Sequence, residues 1–206
     1  MKVLRPLLAT TLAAALLACA QTARADGDPA SDVLLSERVF IVVDSQTAPP
    51  YLRELLALTA EAARRHVPIR IAVIEQSSDL GAVPMLFGRA QQYATFLARE
   101  ITFAYRGTVL VAMAGKPGGV GLYGPAATAR ARALVAKLVV PSAGTPEELA
   151  RIASTAVREV ASTRGVHLTT PRAVITHGSG PWLLYALAGA AAVAAGGAAF
   201  LLLRRR

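Results

Sequence analysis

Polar side chains follow three predicted strands of this chain, and their types suit binding of a cation and a phosphate. Asp44 follows the apolar run 39–43, Asp79 lies in the loop after Ile69–Ile74, and Lys116 follows Thr108–Met113. Ligands of open α/β sheets bind where parallel strands end, so these residues are candidates for a single site. Carboxylate oxygens bind divalent cations, and a lysine ammonium binds phosphate. The sequence therefore suggests Asp44 and Asp79 as metal ligands.

A structural role for the Asp and Ser residues of these loops remains open, and so does the role of the basic residues that follow. Asp and Ser are also favoured after strands because they cap helices and make local turns. Lys116 and Arg106 are candidate anion-binding residues within a stretch that has no acidic residue between Glu100 and Glu147. The basic residues of that stretch form either a patch for anionic lipid, wall polymer or a phosphorylated ligand, or an ordinary solvated surface. They are Arg106, Lys116, Arg130, Arg132 and Lys137.

Residues 119–124 match the pattern GxGxxG, which in dinucleotide-binding proteins brings backbone N–H groups onto a pyrophosphate. That site also requires an acidic residue about 20 positions later, and here none precedes Glu147. A β-hairpin is therefore the favoured interpretation, and no nucleotide cofactor is expected. Hydrolysis by a catalytic triad or by zinc is not expected either. The chain has no GxSxG motif, its three histidines are scattered, and Cys19 is its single cysteine.

The net charge of +9 is unevenly distributed along the chain. Six basic residues lie near the ends, at positions 2, 5, 24 and 204–206. Without these six, the 22 basic residues fall to 16, against 13 acidic ones. The high isoelectric point is thus mainly a signal of membrane topology, and nucleic-acid binding is not expected.

The N-terminal residues 1–25 have the pattern of a secretory signal peptide. A basic start precedes an apolar stretch, and small residues at 23 and 25 predict cleavage after Ala25. Lipidation at Cys19 is the alternative. Residues 26–37 contain Gly27 and Pro29 among polar residues, and they are predicted to be a disordered lead-in.

The C-terminal residues 182–203 are uncharged and long enough to cross a bilayer as a helix. Trp182 and Tyr185 suit one headgroup layer, and three arginines at 204–206 are expected to remain cytoplasmic. The protein is therefore expected to be a single-pass cell-membrane protein with its domain outside. Small residues at 188, 192 and 196 would allow two spans to approach, so a homo-oligomer remains open.

Between these ends, residues 38–165 alternate strand and helix patterns. Strands are predicted at 39–43, 69–74, 108–113 and 120–123, with helices after Pro49, from Arg89, from Ala126 and from Thr145. The predicted fold is a three-layer α/β sandwich with a small, mostly parallel sheet of about four strands. Residues 166–181 are predicted to be a juxtamembrane linker, followed by the span and a cytoplasmic tail at 204–206.

This arrangement resembles the TPM-domain family of extracytoplasmic proteins over about residues 39–161. The resemblance rests on the segments 39–44, 71–74, 93–100, 107–112 and 118–124. Residues 79–81, Pro84, 86–88 and Gln91 look more like a divergent branch from high-GC Gram-positive bacteria. This chain has Arg106 and Lys116 where family members often have acidic residues. The resemblance implies a membrane-tethered α/β sandwich linked to assembly, repair or envelope maintenance, and in some members a proposed phosphatase activity.

Three hypotheses about function follow. In the first, the domain is a non-enzymatic module that binds an extracytoplasmic protein or an envelope component. In the second, it is a metal-dependent phosphatase-like hydrolase that acts where Asp44 and Asp79 meet. In the third, the protein is a subunit whose membrane span matters most and whose domain acts as a spacer.

Overall fold

A computed structural model describes residues 27–43 and 45–172 of the chain. The predicted signal peptide, the predicted span and Asp44 lie outside the described residues. Within those residues, none of the helices has the length and apolar character that crossing a bilayer requires. The helices are α1 (Pro29–Ser36), α2 (Pro50–Arg64), α3 (Ala90–Glu100), α4 (Ala129–Val135) and α5 (Pro146–Ser162). The strands are β1 (Val39–Phe40), β2 (Ile69–Ile74), β3 (Thr108–Met113) and β4 (Gly119–Tyr123).

The four strands form one sheet in the order β1-β2-β3-β4. Strands β1, β2 and β3 are parallel, and β4 pairs with β3 in the antiparallel direction. Helix α2 connects β1 to β2, and α3 connects β2 to β3, as parallel neighbours require. The α/β class and the four-stranded, mostly parallel sheet are confirmed.

Alternate residues of β2 and β3 face opposite sides of the sheet, and helices cover both sides. Ile71 and Leu110 point into a core shared with α2, α4 and α5. Ala72 and Val111 point into a second core shared with α1 and α3. Because both faces are buried, these strands are apolar except for Arg70 and Thr108 near their starts, without the polar alternation of a half-exposed strand.

Strand β1 is shorter than the apolar run 39–43 predicts. Pairing with β2 ends at Phe40, opposite Ala72, and Val42 is 44% exposed. An apolar, β-branched run predicts a strand only where a neighbour continues to accept its backbone hydrogen bonds. Here the chain diverges from β2 after two residues, so the predicted five-residue strand is wrong.

The predicted disordered lead-in at 26–37 is also wrong, because residues 29–36 form helix α1. Asp28 caps this helix by accepting a hydrogen bond from the Ser31 amide, and Pro29 occupies the first turn, where its missing N–H is not needed. Leu34 is fully buried in the second core. The domain therefore begins about ten residues before the predicted start at Arg38.

Polar contacts attach helix α1 to α3 and to β2, in addition to the packing of its apolar face. The Tyr93 hydroxyl donates to Asp28 Oδ1 at 2.6 Å, and the Arg70 guanidinium donates to the Leu34 carbonyl. Burial raises the pKa of Asp28, although the Tyr93 hydrogen bond acts in the opposite direction. Arg70 also lies over the ring of Tyr105, 4.1 Å from its centroid.

Strand β4 has an outer edge without a further strand, and Gln91 of α3 covers it. The Gln91 amide nitrogen donates to the Leu122 carbonyl at 3.0 Å, and its oxygen accepts from the Leu122 amide at 3.1 Å. The side chain thus reproduces the pair of bonds that a neighbouring strand would make. Covering an edge in this way prevents pairing with other chains.

Replacing Gln91 with alanine is expected to lower the free energy of unfolding by about 1–2 kcal/mol, because both Leu122 backbone groups lose their partner. The matched control is Gln92→Ala, since Gln92 is exposed on the same helix. Urea unfolding of both variants measures the difference. Equal stability of the two variants would contradict a role for Gln91 at the edge.

Candidate functional site

The carboxyl ends of the parallel strands border an open cleft of about 350 Å³. One wall is the loop that follows β2, and the other is the loop that leads into α5. The cleft is lined by Glu75, Gln76, Ser77, Phe87, Ser142, Ala143, Gly144 and Thr145. Its volume lies at the lower end of the range for ligand pockets, roughly 300–1,000 Å³. A second depression of about 310 Å³ lies beside Leu138, Val139 and Ile152, and it is lined by α5 and the segment before it instead of by the loop that follows β2.

Asp79 stabilises the loop that forms one wall of this cleft. Its side chain is buried, and Oδ2 accepts hydrogen bonds from the amides of Glu75 and Gln76 at 2.9 and 3.0 Å. Asp79 and Gln76 form a reciprocal capping box on the short 3₁₀ helix Ser77–Leu80. The carboxylate therefore holds the loop in place, which corresponds to the capping interpretation of the sequence pattern.

The predicted partner of Asp79 lies outside the described residues, so the Asp44–Asp79 cation site remains a prediction. Across residues 27–43 and 45–172, no group of three or more His, Cys, Asp or Glu side chains is arranged to hold a metal ion. A cation held by Asp79 would compete with two backbone N–H groups for the same carboxylate oxygen.

The two predicted anion-binding residues, Lys116 and Arg106, lie at opposite ends of β3. Arg106 precedes the strand and Lys116 follows it, so about 20 Å separates them. Lys116 is exposed in the β3–β4 hairpin near the cleft, where the Gly115 amide donates to the Ser142 carbonyl at 3.1 Å. The structure therefore does not bring these two side chains together.

The GxGxxG residues form strand β4 instead of a strand-to-helix turn. The hairpin turn precedes them, with Gly115 at φ +115° and a cis peptide bond between Lys116 and Pro117. Gly121 lies directly against the first turn of α3, where an added Cβ would overlap the Ala90 carbonyl oxygen. The glycine is needed for close packing of β4 on α3, which accounts for it without a phosphate ligand.

A second polar cluster was not predicted from the sequence. Glu54 and Glu61 of α2 are buried, at 7% and 6% exposure. Together with Arg158 of α5 they hold the segment that follows α5. We refer to Glu54, Glu61 and Arg158 as the clamp.

Glu61 binds both threonines of the segment. Its carboxylate accepts hydrogen bonds from the backbone amides of Thr169 and Thr170, at 2.9 Å each for the shorter contacts. It also accepts from the two hydroxyls, at 2.9 Å for Thr169 and 2.6 Å for Thr170. These hydrogen bonds, with that from the Thr170 hydroxyl as the largest contribution, lower the pKa of Glu61 from 4.5 to about 2.

Arg158 completes the clamp from the neighbouring helix. Its guanidinium donates to Glu54 at 3.0 Å, to the Thr170 carbonyl at 2.8 Å and to the Leu168 carbonyl at 3.4 Å. Leu168 also packs against the core beneath α2 and α5. The predicted linker at 166–181 is therefore attached to the domain as far as Thr170, and its first five residues are part of the fold.

One signal of the clamp is visible in the sequence. Glu54, Leu58 and Glu61 are spaced by four and three residues, so they share a helical face, and Leu58 is fully buried. Two carboxylates on either side of a core leucine indicate that a donor must cover that face. The identity of the donor depends on contacts across more than 100 residues, which spacing along one helix does not reveal.

Comparisons with protein-family models, with curated proteins and with solved structures find no match to this chain. The resemblance to the TPM-domain family therefore remains a prediction from the sequence.

Proposed function

We propose that this protein is a membrane-anchored extracytoplasmic binding module with a TPM-like domain, which holds a partner protein or an envelope component in the carboxyl-edge cleft. The observation that carries the proposal is the composition of the cleft. It combines the Glu75 carboxylate, the hydroxyls of Ser77 and Ser142, and the Phe87 ring. Such a lining offers hydrogen bonds, one negative charge and one apolar contact, which suits a polar or basic segment of a partner.

The hydrolase alternative is less well supported by the same geometry. A metal-dependent phosphatase would need carboxylate oxygens that face the cleft, yet Asp79 is 6% exposed and its Oδ2 accepts from two backbone amides of the cleft wall. The Glu75 carboxylate faces the cleft, but one carboxylate alone does not form a divalent cation site.

The membrane part of the proposal rests on residues 182–203 and the arginines after them. The attachment of residues 166–170 to the clamp supports it, because the chain then leaves the domain from a defined place between α2 and α5. A module that must present its cleft to a partner near a membrane benefits from such a fixed exit.

Site-specific photo-crosslinking in the full chain tests the binding role. A benzophenone amino acid at Ser77, in the cleft, is expected to give a discrete adduct, while the same group at Ala57, exposed in the middle of α2, is not. Ala143→Trp, which fills the cleft from the other wall, is expected to remove the adduct. An adduct that forms equally at both positions, or that survives Ala143→Trp, would contradict the proposal.

A further inference from the structure

The end of the domain opposite the cleft carries a concentration of exposed basic side chains. We refer to this end as the amino edge, because the parallel strands β2 and β3 begin there. Its exposed basic residues precede β1, β2 and β3 or follow α2 and α5. They are Arg38, Arg64, Arg65, His66, Arg106 and Arg164.

Two depressions connect some of these residues in space. Arg38 lines one of about 300 Å³ beside Tyr105, and His66 and Arg164 line another of about 30 Å³ beside Gly107. Both depressions share Pro68, so Arg38, His66 and Arg164 border one surface, and Arg65 and Arg106 are the chain neighbours of its lining residues His66 and Gly107. Arg70 lies beneath it, and its pKa is lowered mainly by burial and further by the charge of Arg38.

Acidic residues balance only part of the charge of this surface. Glu37 lines the first depression, Glu100 ends α3, and Glu159 lies in the last turns of α5. Within the described part of the chain, the one ion pair closer than 4.0 Å joins Arg158 to Glu54, in the clamp. The amino edge therefore carries an excess of positive charge at its exposed surface, and the Arg164 guanidinium at this edge also donates to the Pro125 carbonyl at 3.3 Å.

A large apolar side chain projects from the same edge. Phe103 lies between α3 and β3 and is 78% exposed, with Arg99 and Arg106 nearby in the sequence. An exposed aromatic ring among arginines is costly in water, and it suits the headgroup layer of a bilayer, where the ring is buried and the guanidinium groups meet phosphates.

We propose that the amino edge docks on an anionic phospholipid surface, with Phe103 entering the headgroup layer and Arg65, Arg106 and Arg164 contacting lipid phosphates. The inference rests on the proposed anchor. Nine residues separate Arg172 from the predicted span, and they reach at most about 30 Å when extended. The domain then stays within that distance of the bilayer, and docking by the basic edge directs the carboxyl-edge cleft away from the lipid.

Depth-dependent fluorescence quenching of the full chain in vesicles tests the docking. Phe103→Trp is made in a Trp182→Phe background, because Trp182 is the only tryptophan of the chain. In vesicles of brominated phosphatidylcholine mixed with phosphatidylglycerol, the fluorescence is expected to shift to shorter wavelength and to be quenched. Neither change is expected in vesicles of brominated phosphatidylcholine alone. The control is Met85→Trp in the same background, since Met85 is 65% exposed near the cleft and should remain unquenched.

Charge variants add a quantitative check. Arg65→Ala and Arg106→Ala are each expected to weaken docking about fivefold, the effect of removing one charge near an anionic membrane. Arg89→Ala, an exposed arginine that precedes α3 at the cleft end, is expected to leave docking unchanged. Equal effects of all three variants would contradict docking through the amino edge.

Alkaline carbonate extraction of the same vesicles measures the anchor independently. If the chain resists extraction but Phe103→Trp is not quenched, the docking is wrong and the anchor stands. If the chain is extracted but quenching persists before extraction, the anchor is wrong and the docking stands. If soluble polyphosphate binds the basic edge while quenching is missing, the surface serves an anionic polymer and lipid docking is overturned.

Discussion

Replacement of Glu61 with glutamine is expected to lower the free energy of unfolding by about 3 kcal/mol and to release Thr169 and Thr170 from helix α2. The wild-type carboxylate accepts from two backbone amides and two hydroxyls at once. A glutamine side chain has one oxygen to accept these bonds, and its NH₂ group would face donors. Hydrogen bonds to a charged acceptor are also stronger than those to a neutral one.

Hydrogen–deuterium exchange measures the local effect directly. The amides of Thr169 and Thr170 are expected to be protected in the wild type and to exchange rapidly in Glu61→Gln. The matched control is Glu100→Gln, because Glu100 is exposed at the end of α3 and caps no other segment. Unchanged protection of the two threonine amides in Glu61→Gln would contradict the clamp.

The same carboxylate makes the attachment of the segment dependent on pH. The folded pKa of Glu61 is about 2, below its ordinary value of 4.5, so the folded state favours the charged form. Its contribution to stability is complete above pH 4.5 and is lost as the pH falls towards 2. Acid titration of stability is therefore expected to be shallower in Glu61→Gln than in the wild type across that range.

The clamp also bears on the proposed docking of the amino edge. Glu61 and Arg158 hold the chain at residues 168–170, so fewer residues separate the domain from the predicted span than the predicted linker 166–181 contains. A shorter tether increases the effective concentration of the basic surface at the bilayer. Loss of the clamp in Glu61→Gln is therefore expected to weaken the proposed lipid docking as well.

Those parts of the fold that depend on local signals could be predicted from the sequence. Thr145, Pro146 and Glu148 form the predicted capping box at the start of α5, with the Thr145 side chain accepting from the Glu148 amide. Strands β2 and β3 correspond to the predicted residues, because apolar β-branched runs between turns leave few alternatives.

Features that depend on distant partners could not be predicted in the same way. The sequence of helix α1 predicts disorder because it is short and shows no strong helical period. The helix is stabilised by burial of Leu34 and by the hydrogen bond between Asp28 and Tyr93, which lie 65 residues apart in the chain. The burial of Glu54 and Glu61 depends likewise on Arg158 and Thr170. In both cases the structure depends on which side chains are buried, and that is determined only when the whole domain is folded.

The candidate site illustrates a different limit. An aspartate after a strand is equally suited to binding a cation and to capping the next turn, since both uses require a carboxylate at that position. Asp79 caps, through Glu75 and Gln76, and so positions the cleft wall without facing a ligand itself. A cleft does lie at the strand-end edge, but half of the residues that line it come from the loop before α5, which the sequence pattern did not connect with this edge.

Replacement of Gly121 with alanine is expected to destabilise the domain by about 3 kcal/mol, which is the upper range for overpacking a well-filled core. An added Cβ would overlap the Ala90 carbonyl oxygen and would also lie 2.8 Å from the backbone nitrogen of Gln91. These atoms belong to the helix backbone, so they cannot rotate away as the end of a side chain would. Relief requires α3 and β4 to separate, which also strains the Gln91–Leu122 hydrogen bonds.

Gly119→Ala is the matched control, because Gly119 belongs to the same strand and the same GxGxxG pattern, yet no atom lies within 4 Å of an added Cβ there. Chemical unfolding of both variants is expected to separate them clearly, with Gly119→Ala close to wild type. If the pattern instead served a phosphate, both glycines would matter for ligand binding and neither for stability in the free protein. Equal and small destabilisation in the two variants would therefore contradict close packing as the reason for Gly121.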